Sequence, residues 1–488
     1  MVVWGMLNRQ ELERLSKPEL VDLVLALQDM IAQQAATIER LEARVTELEQ
    51  RLNQNSHNSH RPPSSEGYRK PPSPTRQAQQ AAGRSPGAQE GHPGNTLAMV
   101  EEPDHTEVLW PQQCSACGSE LSGDGRLVVR SQVHELPPVR LEVTEWQVME
   151  RRCAGCGRAC RAELPAGVVP GAQYGPRLKA AMVYLSVEHL LPWQRTTQLL
   201  HDVVGARVSE GCLGQALERC AAGVTGVVEA IKQALIDARL AHFDETGARV
   251  GGRLHWLHTA GTPTLTHYAI HTKRGRAAHA DIGILPAFRG TACHDAYESY
   301  FGYACDHALC NAHSVRELTG VLEATGQVWA NDLANLLRQI YHRKKELGAL
   351  SEEERAAYRR QYDQLVRVGR QANPIDLAAF RAAGTGRIKR SAAQRLLLRL
   401  AEHADDYLRF MTDPAIPFDN NQAERDLRMM KVQQKVSGCF RTAEGAKTFC
   451  LMRSYTSTIR KQGGDVVEAL TSVFQGQPVF PQLPAPAE

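Results

Sequence analysis

The residues of this sequence best suited to chemistry are three carboxylates set apart by position rather than by number. Asp244 ends the apolar run of "LAHFD", Asp295 ends "TACHD", and Glu424 lies in the stretch "FDNNQAERDLR" at 418–428. The first two stand at the ends of candidate strands and the third in the first turn of a candidate helix. Carboxylates at neighbouring strand ends, joined by one from a packed helix, can hold two hard divalent cations roughly 3.5–4 Å apart. That arrangement activates an attacking oxygen and stabilises a leaving one in phosphoryl transfer. Carboxylate and water ligands suit Mg2+. Arg425, Arg428, Lys431 and Lys435 follow Glu424 at helical spacing and could neutralise a DNA backbone. A second reading of Glu424 stays open. Asn421 precedes it by three residues, the spacing of a capping box, which would make the glutamate a helix cap and the basic residues a solvated face.

Other acids share the neighbourhood. Glu245 follows Asp244 but alternates to the other face of a strand. Glu298 and Asp306 lie near Asp295, and Asp419 precedes Glu424. Asp306 is the strongest rival, because it too follows a strand-like run. His294 and His313 could assist, although lone histidines more often serve structure.

A second chemistry is carried by thiols. "CSACG" places Cys114 and Cys117, and "CAGCG" places Cys153 and Cys156, each pair a C-x-x-C followed by glycine. Two such pairs satisfy one tetrahedral Zn2+, and the glycine lets the loop backbone approach the sulfurs. The intervening "RLVVRSQVHELP" and "RLEVTEWQVMERR" have strand character, so a zinc ribbon with one structural ion is expected. Cys160 is close enough to be a decoy ligand.

These groups need elements to hold them. Leu20, Val24, Leu27, Ile31, Gln34, Ile38, Leu41, Val45, Leu48 and Leu52 alternate three and four apart. This heptad seam predicts a leucine-zipper coiled coil over 1–52 and self-association through it. Residues 53–95 are rich in Pro, Ser, Gly and Gln and poor in aliphatics, which predicts a flexible linker. The zinc-binding domain follows at 100–165. Residues 170–240 are helical in pattern. Within them "QRTTQLLHDVVGARVSEGCLGQALERC" is compatible with a helix-turn-helix and equally with two packed helices. From 240 short runs separated by Gly- and Pro-containing turns predict an antiparallel meander. Residues 322–412 are mostly helical and basic.

The chain has 488 residues, enough for two to four domains. Its net charge of +3 conceals local basic stretches: 381–400 carries six Arg/Lys and no acid. Such stretches suit a polyanion such as DNA. No apolar run approaches the roughly 18 residues of a membrane span. The start, "MVVWGMLNRQELERL", lacks the features of a secretory signal. A cytoplasmic, nucleoid-associated protein is expected, with its cysteines reduced and binding metal rather than forming disulfides.

With these residues in view the chain resembles the insertion-sequence sixty-six family of bacterial transposases, a branch of the DDE transposases. The matching pieces are "DETG" at 244–247, "HDAYESY" at 294–300, "LCNAH" at 309–313 and, most specifically, "DNNQAERDLRMMKVQQKVSGCFRTAEGA" at 419–446. The order of zipper, zinc-binding region, core and short C-terminal element is also similar. One departure is Asn311, where many members carry an aromatic. The resemblance implies a multidomain α+β protein. Its catalytic core at 241–450 would be ribonuclease H-like α/β, with a helical insertion at about 322–412 and a C-terminal element at 451–488. It implies Asp244, Asp295 and Glu424 as catalytic ligands of two Mg2+, with Mn2+ as a substitute. The activity would be cleavage at insertion-sequence ends and strand transfer, with terminal inverted repeats and target DNA as partners. Two other functions compete: a DNA-binding regulatory protein derived from a transposase, and a ribonuclease H-like nuclease without strand transfer. The intact set of three acids argues against the first, and the zipper and ribbon against the second.

Overall fold

The computed structural model of the chain describes residues 12, 14–59, 97–375 and 390–484. Most of the expected linker and much of the basic stretch 381–400 fall outside them. The chain divides into two compact units, one of residues 1–68, 166–196 and 209–488, the other of 69–165 and 197–208.

In the first unit, helix α1 (Lys17–Leu52) runs unbroken for 36 residues, about 54 Å at 1.5 Å per residue. Its first turn is fixed by Ser16, whose N–H and hydroxyl donate to the Glu19 carboxylate at 2.8 and 2.7 Å. The seam stays open to solvent, with Ile31 64% and Leu41 57% exposed. The chain beyond α1 departs from the expected flexible linker as far as residue 59. Asn58 donates to Glu323 at 2.6 Å, and Ser56 is buried. The polar side chains that predict disorder here find fixed partners.

Among its described residues the second unit contains one hairpin, β1 (Glu150–Arg152) antiparallel to β2 (Ala159–Arg161). Of the strands expected over 126–137 and 140–152, only Glu150–Arg152, at the end of the second, joins a ladder. Leu127, Val128 and Val129 are about three-quarters exposed, and a strand without a hydrogen-bonded neighbour is only extended chain. Gln132 ties this segment down, exchanging two 2.8 Å hydrogen bonds with the backbone of Val100.

Three helices lead to the sheet: α2 (Pro176–Val183), α3 (Trp193–Val204) and α4 (Glu210–Ile236). Gly205 ends α3 at a φ of +73°, and Ser209 caps α4 by accepting the Cys212 N–H at 3.2 Å. The expected pair of helices about a glycine turn is therefore present.

Five strands follow: β3 (Leu240–Val250), β4 (Arg253–Gly261), β5 (Thr266–His271), β6 (Thr291–His294) and β7 (Asp306–Leu309). Their order in the sheet is β5-β4-β3-β6-β7. The first three form the expected antiparallel meander; β6 and β7 run parallel to β3. Gly251 and Gly252, both at positive φ, make the two-residue turn that brings Val250 opposite Arg253. Edge strand β5 does not expose its ladder. The Thr266 and Tyr268 N–H groups donate to the hydroxyls of Thr458 and Ser454 at 3.0 and 2.8 Å, which covers an otherwise sticky edge.

Helix α5 (Arg276–Ile282) joins β5 to β6. After β7 come α6 (Asn311–Thr325), α7 (Val328–Leu347), α8 (Glu352–Ala372), α9 (Ala392–Glu402) and α10 (Ala404–Thr412). They share a core with the sheet: Leu309 of β7 belongs to one cluster with Leu318, Leu337, Tyr362, Leu397 and Phe410. Each such side chain contributes about 1.5–3 kcal/mol on burial. Close approach is essential at Gly369, where a Cβ would sit 2.6 Å from Leu397 and 2.9 Å from Trp329. The chain then returns through α11 (Asn421–Val436), packed on β3 and β4, α12 (Ala443–Lys461), packed on β5 and α4, and α13 (Val466–Phe474), packed on α2. The described residues thus form a mixed α/β fold of thirteen helices and a mixed sheet.

Candidate active site

Strand register brings two of the acids together. The parallel pairing of β3 with β6 ends at His242 opposite Cys293. Carried two residues further, it sets Asp244 level with Asp295, which lies just past the end of β6; Asp244 is not at a strand end as expected but in the middle of β3, because pairing with β4 carries that strand on to Val250. Asp295 is held there by the Tyr297 N–H, 3.0 Å from its Oδ1. The next residue, Ala296, has a φ of +68°, a left-handed conformation that costs a non-glycine residue about 1–2 kcal/mol. Strain of this kind marks a backbone held for a purpose.

Glu424 arrives on α11, whose start is locked onto the same place. Asn420 donates from Nδ2 to the Phe243 carbonyl at 2.9 Å and pairs through Oδ1 with His242 Nδ1 at 2.8 Å. The expected capping box is corrected by this geometry. The helix is entered through Asn420, not Asn421; the Asn421 side chain donates instead to Asp419 at 2.7 Å. Glu424 therefore does not serve as a cap partner. Its Oε1 is buried and accepts no hydrogen bond, lying 3.7 Å from His313 Nε2 and 3.6 Å from Arg316 Nη2.

The acids oppose one another electrically. Burial holds the Asp244 carboxyl well above its ordinary range, and the charges of Asp295, Glu245 and Glu424 push it the same way, against the Glu245 N–H that Oδ1 accepts at 2.8 Å. Burial also raises Glu424, with Arg316 opposing and Asp419 and Asp295 adding to it. Buried carboxylates that repel one another are stabilised by a cation set between them.

Glu245, on the opposite face of β3 as expected, is committed elsewhere. It is fully buried, accepts from Arg274 Nε at 2.5 Å and from the Tyr300 hydroxyl. The Arg274 guanidinium lies 4.0 Å from the Tyr297 ring centroid and 4.0 Å from Asp295 Oδ2. This Glu245–Arg274–Tyr300 network was not anticipated from the sequence. The tyrosines at 297 and 300 inside "HDAYESY" were its one visible trace. The rival Asp306 begins β7, level with Thr291 and so at the far end of the parallel strands from Asp295. It is exposed and paired with Arg409 at 3.3 Å.

Among the basic residues of α11, Arg425, Arg428 and Lys435 are exposed and Lys431 is half-buried, where burial lowers its pKa. At about 100° per residue, Arg428, Lys431 and Lys435 fall within about 40° of the Glu424 direction and Arg425 lies apart. Arg425 donates to Gln422 at 2.8 Å.

Both cysteine knuckles are formed alike. Gly118 and Gly157, at φ of +75° and +72°, donate back to the Cys114 and Cys153 carbonyls at 2.8 Å. Hydrogen bonds from Ser119 bring the Cys117 thiol down to about 7, and the backbone of Cys156 and Gly155 lowers Cys153. Thiols of this kind are ready to ionise onto a metal. Among the described residues, Cys310, His313 and Glu424 are the one set of three metal-ligating donors lying within 4.8 Å of one another. The three acids spread wider than that.

Residues 171–448, more than half of the chain, match the family described as Transposase IS66 family. The chain belongs to this transposase family. The match embraces Asp244, Asp295 and Glu424. Residues 8–98 of the chain match a family of unknown function, DUF6444. The chain is also similar to the uncharacterized protein y4jD of Sinorhizobium fredii (strain NBRC 101917 / NGR234), 23% identical over 213 residues. That likeness covers 41% of this chain and 40% of y4jD. No helix among the described residues is long and apolar enough to cross a membrane.

Proposed function

We propose that this transposase cuts DNA at the ends of its insertion sequence and joins the 3′-hydroxyls to target DNA. Asp244, Asp295 and Glu424 would hold two Mg2+, with Mn2+ able to replace them. The observation that carries the reading is the convergence of three mutually repelling acids from β3, the end of β6 and α11. Glu424 Oε1, buried and without a hydrogen bond, fits a site that expects a cation. Bound there, Mg2+ would supply activation of the attacking oxygen and charge neutralisation at the leaving one.

The chain's own residues do the rest. Asn420 and the Tyr297 N–H orient Glu424 and Asp295. Arg274 offsets charge at Asp295 while Glu245 keeps the guanidinium in place. Arg428, Lys431 and Lys435 would line up DNA phosphates along α11, with Arg425 contributing at its side. The sheet order, three antiparallel strands followed by two parallel, supports a ribonuclease H-like core over 241–450, interrupted by helices at about 322–412.

The remaining modules serve end pairing in this reading. Residues 1–52 would form a homo-oligomeric coiled coil, Cys114, Cys117, Cys153 and Cys156 would close on one structural Zn2+, and 170–240 would contact DNA. The protein would act in the cytoplasm on the nucleoid. The test is to incubate purified protein with Mg2+ and the DNA flanking its own gene, then map products. Cleavage at the repeat termini with joined strands is expected; cleavage without joining would leave a nuclease.

A further inference from the structure

Cys310, His313 and Glu424 each offer one donor atom within 4.8 Å of the other two, yet only Glu424 has a part in the proposed chemistry. Cys310 precedes the first residue of α6 and His313 lies three residues on, the spacing at which side chains share one helix face. The Cys310 sulfur is already treated as an acceptor: the Asn420 N–H points at it from 3.2 Å. It also stands at the N-terminus of a 15-residue helix, and burial pushes its thiol up to about 12, so that its ionisation waits on the metal.

We propose that Cys310, His313 and Glu424 form a site for Zn2+, and that zinc there takes Glu424 from the catalytic magnesium and switches cleavage off. The inhibitory half rests on the proposed role of Glu424. Sulfur and imidazole select zinc over magnesium, which takes oxygen ligands. With Zn–S near 2.3 Å and Zn–N and Zn–O near 2.0–2.2 Å, tetrahedral donors lie about 3.3–3.6 Å apart. His313 Nε2 and Glu424 Oε1 are 3.7 Å apart already, so side-chain adjustments of about 1 Å complete the set. Binding exchanges the thiol proton of Cys310 for the metal: the S–H bond breaks, the proton goes to solvent, and the S–Zn bond forms. Three protein donors leave a fourth position for water. Arg316, 3.6 Å from Glu424 Oε1, gives way as the ion neutralises the carboxylate.

The test uses the full chain, wild type and Cys310→Ser, so that the four cysteines of the knuckles are common to both. Each is titrated with Zn2+ and with Co2+, reading bound metal and the sulfur-to-cobalt charge-transfer band. Mg2+-dependent cleavage is then followed at buffered free zinc, relative to each protein's own zinc-free rate. Wild type should bind one more ion than Cys310→Ser, with an extra thiolate band. Its cleavage should be inhibited at zinc levels that leave Cys310→Ser untouched. The separation should exceed the roughly 10- to 100-fold that loss of a mere outer-shell partner costs. Equal stoichiometry in the two proteins, or equal inhibition, overturns the proposal. His313→Gln guards against a misfolded serine variant and should reproduce its loss of the ion; retention of the ion there also overturns it. If neither protein cleaves DNA with magnesium alone, the catalytic reading fails, while the metal count still decides the site.

Discussion

Replacing Asp244 by Asn should stabilise the metal-free protein. The carboxyl is held well above 3.8 by burial and by Asp295, Glu245 and Glu424. A raised folded pKa contributes stability that is present below about 3.8 and lost as pH rises through the folded value, so at neutral pH the ionised group works against folding. Asparagine keeps the Oδ1 that accepts the Glu245 N–H at 2.8 Å and removes only the charge. Two like charges 4 Å apart repel by about 4 kcal/mol at an effective dielectric of about 20. Wider spacing and salt cut this to roughly 1–3 kcal/mol. For a unit of this size that is a rise in Tm of roughly 1–4 °C. Thermal unfolding in EDTA at pH 7 should show the variant above wild type, with the gap closing as pH falls. Millimolar Mg2+ should raise wild type and leave the variant nearly unmoved, because only the intact site binds the ions. A variant less stable than wild type in EDTA would refute the reasoning: the carboxylate would then be held by the protein itself.

Deleting residues 1–55 should leave the sheet-containing unit folded but unable to pair two DNA ends, and sedimentation showing an unchanged oligomer would remove the zipper from that role. Metal analysis of the full chain with Cys114→Ser and Cys153→Ser should find one zinc fewer than wild type. Unfolding of the second unit should then need less denaturant, since a structural zinc contributes on the order of 10 kcal/mol to a small module. Ala296→Gly should keep cleavage, whereas Ala296→Val should cost about 1–3 kcal/mol and displace Asp295, because a β-branched residue tolerates positive φ poorly. Equal behaviour of the two would detach the backbone strain from the site.

The three acids were singled out because each closes a short apolar run or opens a helix and because the 419–446 stretch is so specific, but the run ending at Asp244 hid a strand that continues to Val250. The meander was legible through its glycine and proline turns. What stayed hidden depends on pairing between distant residues. Nothing local in "NNQAE" tells Asn420 from Asn421 as the residue entering α11; the choice is made by the Phe243 carbonyl, 177 residues away. Asp306 looked like a rival because its strand was read as ending there, while the register makes it the first residue of β7. The segments at 126–149 have the alternation of strands and lack the partners to become them. Cys310 and His313 lie more than a hundred residues from Glu424 in the chain, and only the docking of α11 against α6 and β3 brings them together.

The most direct test of the account is cleavage and joining of the element's own end DNA by Asp244→Asn, Asp295→Asn, Glu424→Gln and Asp306→Asn, each checked for folding and DNA binding. The account predicts that the first three lose activity by several orders of magnitude while still binding DNA through their basic residues, and that Asp306→Asn stays close to wild type. Normal cleavage by Glu424→Gln, or loss in Asp306→Asn with Asp295→Asn active, would contradict it.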